Sequence, residues 1–371
     1  MPEATPARPP GAAPPGLVRR LLRAQESGLV LVIALMMTVL TVYGAANPKE
    51  VPRIDPATRQ VVRDPDTGRP VRVRVNAFLE PQNLLLVTTY ASFIAVMAVG
   101  MTGIIILGGI DLSIGSIYAI AALLGAKALL ALGPEAPGAL SVPLGLGVCC
   151  AAGALAGFVN GALTVGLRVH SFIVTLGTMS ILRGLVAVIT KGRSLTGFPP
   201  SFTSGFFKAQ YGNLAPTLTV FMVVAAAIGA FVLGMTVLGR RIFATGGNET
   251  AARYAGVPVG RVKVTTFTLA GLLAGVSAAM YLGYLGAFEP AAGSGYELKV
   301  IAATVIGGAS LAGGRGSAIG AALGAIVVQL IDNGMVIFGV DQSYNSIVIG
   351  AAIVAAVVID QAKLRLHAPA R

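Results

Sequence analysis

The feature that most constrains this chain is its succession of long uncharged apolar runs, of which Gly28 to Ala46 is the first. A helix of roughly 20 such residues crosses the ~30 Å apolar core of a bilayer. Only 11% of the 371 residues are charged, where soluble domains average about 25% and need those side chains to cover their surface. The chain therefore reads as an all-α polytopic membrane protein. Ten apolar segments are expected, at 28–46, 84–108, 110–132, 142–167, 171–190, 216–238, 265–286, 298–312, 316–338 and 343–362. They divide the chain into a cytoplasmic tail at 1–27, a transmembrane domain at 28–362 and a cytoplasmic tail at 363–371. The first run is longer than the roughly 7 to 15 residues of a cleavable signal core, so it is expected to persist as a helix. Cys149 and Cys150 are adjacent inside an apolar segment, where a bridge between them is strained, and they read as free thiols.

The net charge of +12 suggests nucleic acid in a soluble chain, but in a membrane chain basic loops set orientation. No nucleic-acid partner is expected. With the N-terminus inside, the inner ends collect Arg8, Arg19, Arg20, Arg23, Arg168, Arg240, Arg241, Arg253, Arg261, Lys263, Arg315, Lys363, Arg365 and Arg371. The outer side has Lys127, Lys191, Arg193, Lys208 and Lys299. This asymmetry places both termini in the cytoplasm. An extracytoplasmic insertion at 47–83 holds Lys49 and a group of arginines that vote the other way. Within it Val71, Val73 and Val75 alternate with Arg72 and Arg74, and Asp64-Pro-Asp-Thr-Gly supplies turn chemistry, so a small β-hairpin is expected.

Two places look alike. Gly108-Gly-Ile-Asp-Leu-Ser-Ile-Gly-Ser116 resembles Gly307-Gly-Ala-Ser-Leu-Ala-Gly-Gly-Arg-Gly-Ser317, which implies two related halves with discontinuous helices, an arrangement common in transporters. Paired glycines break a helix, and Asp111 or Ser113 is placed to cap the next one. Asp111 then has two readings, a cap near the inner interface or a group lining a translocation path, as intramembrane carboxylates often do. Gly153, Gly157 and Gly161 are spaced for close helix packing. Between Arg240 and Lys263, within a cytoplasmic loop at 239–264, Asn248 is a good N-cap, Glu249 complements the helix dipole, and Gly256 with Pro258 ends the helix. Arg253 and Tyr254 lie on this two-turn helix, which reads as a connector or as an element that docks into another protein.

The segment 108–116 resembles the signature of permease subunits of monosaccharide ABC importers, the ribose, xylose and galactose type. The likeness continues through Gly157-Phe-Val-Asn160-Gly, Ser171-Phe-Ile-Val-Thr-Leu-Gly-Thr178, Gly247-Asn248, Gly314-Arg-Gly-Ser317 and Asn333-Gly334. That resemblance implies a dimer of permeases in the inner membrane and an extracytoplasmic sugar-binding protein. It also implies a separate ATPase subunit that binds ATP and Mg and couples through Asn248, Glu249, Arg253, Tyr254 and Gly256. The insertion at 47–83 and the charge of Asp332 depart from the pattern.

No Gly-x-x-x-x-Gly-Lys-Ser/Thr loop occurs, and His170 and His367 have no metal-ligand spacing. No catalytic constellation, metal or cofactor is expected on this chain. The polar path candidates are Asp111, Ser113, Asn160, Asp332 and Asn333. Asn160 also suits an interhelical hydrogen bond, Asp332 either an outer vestibule or a structural pair, and Arg183 is expected to snorkel outward toward Lys191. Tyr90, Phe93, Met97 and Met101 read as packing. Two other functions compete: an ABC permease for branched-chain amino acids or nucleosides, and an ion-coupled secondary transporter working alone.

Overall fold

The computed structural model describes residues 26–366 except 54, 56, 57, 59 and 211–214, with only the backbone of 356 and 359–366. The tail arginines from Arg8 to Arg23, His367 and Arg371 lie outside the described residues. Helices dominate: α1 (Ser27–Ala46), α2 (Pro81–Ile106), α3 (Ile114–Leu132), α4 (Gly138–Gly166), α5 (Ser171–Thr190) and α6 (Thr217–Met235). Two short helices follow, α7 (Val237–Gly247) and α8 (Glu249–Tyr254), then α9 (Val259–Leu285), α10 (Tyr296–Ile306), α11 (Ala318–Phe338) and α12 (Asn345–Leu366). Among the described residues eight of them, α1 to α6, α9 and α11, are long and apolar enough to cross a membrane.

The segment expected to cross at 298–312 does not. α10 has 11 residues, which at 1.5 Å each reach about half of the ~30 Å bilayer core. Gly307 and Gly308 stop it, and α12 stands at the tenth position. The expected loop at 239–264 is also largely helical, with α7, α8 and the first turn of α9 inside it.

Small residues decide which helices meet. Cβ atoms on Gly153 and Gly157 of α4 would strike the carbonyls of Gly271 and Phe267 on α9, so these backbones touch directly. In lipid, where apolar side chains gain nothing by leaving their surroundings, such backbone contact carries helix association. The glycine spacing is thus used inside the chain. The buried centre is built from α2, α3, α9, α10 and α11, whereas α1, α5 and α6 turn Leu31, Ile173, Ile181, Val188, Phe231 and Met235 outward. Helix α1 is held by Leu40 against Phe78, Val87, Leu330 and Ile337, and by an edge-on contact of Tyr43 with Phe338 at 4.5 Å.

The insertion contains the expected hairpin in outline. Strands β1 (Lys49–Pro52) and β2 (Arg72–Val75) run antiparallel with Glu50 opposite Arg74. Asp64 organises the turn between them by accepting from the amides of Asp66 and Thr67, and those bonds hold its carboxyl below the usual carboxylate range. A second strand pair, β3 (Leu195–Thr196) with β4 (Ala287–Phe288), links the segment after α5 to the end of α9.

Candidate translocation site and coupling face

The two look-alike segments form the same structure. At the end of α2, Gly108 N donates to Ile105 O and Gly109 N to Ile104 O; at the end of α10, Gly308 N donates to Val305 O and Ala309 N to Thr304 O. Both are Schellman turns, with Gly108 at φ +76 and Gly308 at φ +93 in the left-handed position that favours glycine. The structure therefore equates Gly108 with Gly308, one residue on from the Gly108 to Gly307 match read from the sequence.

The first break exposes backbone groups between helices, and hydroxyls of α5 take them up. Ser171 Oγ accepts from Ile110 N at 3.1 Å, and Thr175 Oγ1 accepts from Leu112 N at 3.1 Å. Irregular backbone survives at membrane depth only with such partners. Ser171 and Thr175 were not among the candidates read from the sequence; their signal is a pair of hydroxyls one turn apart at the start of an apolar helix.

Asp111, Ser113 and Asn160 form one buried group. Asp111 Oδ1 accepts from Ser113 N at 2.8 Å and from Ser113 Oγ at 2.6 Å, and Ser113 Oγ accepts from Asn160 Nδ2 at 2.7 Å. Asp111 is 0% exposed. The capping expectation is not met: Ser113 stands at the N-cap of α3 without a side-chain cap hydrogen bond, because its hydroxyl is turned to Asp111, and Asp111 forms an Asx turn with the Ser113 amide just before the helix. Asp111 Oδ2, Asn160 Oδ1 and, one turn further along α4, Thr164 Oγ1 have no partner among the described residues. A cavity of about 650 Å³ lies beside this group, lined by Gly108, Thr164, Arg168, Glu249, Arg253 and Lys263 among others. It joins the helix break to α8.

Asp332 and Asn333 are placed elsewhere. Asp332 pairs with Lys299 of α10 at 2.6 Å and accepts from Asn345 Nδ2 at 2.7 Å, while Asn333 exchanges amide hydrogen bonds with Asn83 at the start of α2. Neither is hydrogen-bonded to the Asp111 group. Of the two readings of Asp332, the structural pair is the one observed. Arg183 departs from expectation: its guanidinium turns inward and donates to Ala292 O at 2.7 Å. That carbonyl sits in the non-helical segment before α10, which needs an external donor, and a side chain satisfying it is not free to snorkel.

At α8, Asn248 Oδ1 accepts from Ala251 N at 2.9 Å, the expected N-cap, and Gly256 at φ +79 ends the helix. Glu249 meets Arg253 at 2.9 Å and Lys263 of α9 at 2.7 Å. These partners, the Lys263 hydrogen bond above all, hold its carboxyl below the usual glutamate range. Glu249 thus clamps α8 to α9 and is not a free contact for another protein. Tyr254 is 89% exposed.

Residues 83–357 match the family described as Branched-chain amino acid transport system / permease component. Among curated relatives, the ribose import permease protein of Bacillus subtilis (strain 168) is 39% identical over 287 residues, covering 77% of this chain and 87% of the relative. The ribose import permease protein of Escherichia coli (strain K12) is 38% identical over 77% of this chain and 88% of its own length. The D-allose transport system permease protein of the same strain is 34% identical over 76% and 85%. No solved structure matches. With mirrored helix breaks, a chain of crossing helices and a match over most of its length, this multi-pass membrane protein belongs to the branched-chain amino acid transport system permease family.

Proposed function

We propose that the chain is the permease subunit of an ATP-driven importer of a monosaccharide, delivered by an extracytoplasmic binding protein. The observation that carries the reading is the buried Asp111, Ser113 and Asn160 group at a helix break, set beside a cavity that reaches the coupling helix. Thr164, whose hydroxyl has no partner among the described residues, lines that cavity and suits the hydroxyls of an uncharged polyol, which hydrogen-bond without bringing a charge into the membrane. The similarity to ribose and allose permeases favours sugars over branched-chain amino acids. In this reading a separate ATPase subunit holds ATP and Mg and docks on α8, a second copy of this chain completes the path, and this chain binds no cofactor. The assembly sits among the lipids of the inner membrane with both termini cytoplasmic. Asp332 and Asn333 serve the path indirectly, by fixing α10 and α2 to α11.

Reconstitution of the permease, its ATPase and its binding protein into proteoliposomes tests the reading with labelled ribose, allose and leucine. ATP-dependent ribose or allose uptake is expected. Uptake of leucine alone transfers the chain to the amino-acid class, and sugar uptake driven by an ion gradient without ATPase makes it a secondary transporter.

A further inference from the structure

The last residues of α7, Gly246 and Gly247, lead directly into the capped helix α8. A Cβ on Gly246 would collide with the carbonyl of Ile106 and stand 3.0 Å from the Gly314 amide nitrogen. Those two atoms belong to different helix breaks and are bonded to each other: Gly314 N donates to Ile106 O at 2.8 Å. Gly313, at φ +85, closes the junction, its Cβ position 2.7 Å from Gly246 O and 3.4 Å from Gly108 Cα. One backbone position of the cytoplasmic layer therefore lies against both breaks. Around it Ile106 and Leu107 pack with Ile242 of α7 and Val262 of α9, and close-packed apolar contacts transmit displacement rather than absorb it.

We propose that Gly246 is the positioning residue through which movement of α8 reaches both helix breaks together. The inference rests on the importer reading and adds to it the point at which the ATPase stroke enters the membrane domain. Contact requires the absence of a side chain, because a Cβ would drive α7 away from Ile106 O and open the Gly314 hydrogen bond. Gly247 provides the internal control. Its Cβ position has open space within 4 Å, so Gly247→Ala leaves the junction intact.

Hydrogen exchange on the full chain in complex with its ATPase, with and without ATP and vanadate, reads the coupling without a sugar. In the wild type and in Gly247→Ala, exchange at 107–113 and 307–316 is expected to change together with 249–257, by at least about fivefold, the lower end of ordinary coupling between sites. In Gly246→Ala, 249–257 still responds and both breaks fall silent. Wild-type responses at both breaks in Gly246→Ala overturn the proposal. Should Gly246→Ala fail to assemble, the wild type decides: joint movement of the breaks supports the junction, and movement of one break, or of neither while 249–257 responds, overturns it. A wild-type chain that retains no ATPase and shows no response at 249–257 sinks the importer reading itself, an outcome distinct from silent breaks beneath a responding α8.

Discussion

Asp111 separates two roles that its position combines. Its Oδ1 serves the Ser113 amide and hydroxyl, and an Asn at that position keeps an oxygen there. Asp111→Asn is therefore expected to leave the amount of membrane-assembled protein near wild type, as judged by gel filtration of detergent extracts. Asp111→Leu strands two buried donors, at about 1–3 kcal/mol each, and lowers that amount sharply. Normal assembly with uptake lost in Asp111→Asn assigns the charge itself to the path. The Lys299 and Asp332 pair is mostly buried, with 21% and 13% of the side chains exposed, so removing one partner leaves an unmatched charge. Lys299→Met should destabilise by about 3 kcal/mol or more, and adding Asp332→Asn should recover most of it in thermal unfolding. Glu249 gives a pH prediction with a definite sign. Its folded carboxyl titrates below its usual 4.5, so the clamp on α8 is fully present above that value and is lost as pH falls through the lower folded value. Hydrogen exchange at 249–257, corrected for intrinsic rates, should be flat from pH 8 to about 5 and rise only at more acid pH; a rise between pH 7 and 6 would assign the clamp to another group.

At the scale of elements, the helix α8 was legible in full because its determinants are local: a cap, an acid in the first turn and a terminating glycine. Its use of Glu249 was not legible, since Lys263 arrives from the next helix. Tyr254 is thus left as the exposed aromatic anchor, and Tyr254→Ala is expected to weaken ATPase retention by about 2 kcal/mol, some thirtyfold. Arg253→Ala should cost less, because Arg253 is already paired with Glu249. Equal retention by Tyr254→Ala and wild type in a binding titration would return α8 to a plain connector. Close contact of α4 with α9 yields a second prediction. Gly157→Leu forces a side chain into the Phe267 carbonyl and should destabilise by at least about 1–3 kcal/mol, read as a lowered Tm, whereas Gly147→Leu, with open space at its Cβ position, should change Tm little. The short α10 was the element least readable in advance, because 298–312 is apolar but for Lys299, Thr304 and Ser310 and hydropathy does not report where glycines let a helix stop.

For the whole molecule, the excess of bases on one side predicts the insertion outside and α8 inside. In a background with Cys149 and Cys150 replaced by alanine, single cysteines at Thr67 and Ala209 should react with an impermeant maleimide from outside, and one at Thr250 only from the cytoplasm. Labelling of Thr67 from the cytoplasm alone reverses the orientation. Membrane class, the approximate segments, the repeat and the capped helix were determined by sequence alone, because hydropathy, charge asymmetry and capping act over a few neighbouring residues. Tertiary structure decided the rest: that Ser171 and Thr175 satisfy the break, that Arg183 turns inward to Ala292, that Asp332 meets Lys299, and that both breaks converge on Gly246. Each of these joins residues from different elements, and which polar group satisfies which in a medium without water depends on how the helices are placed against one another.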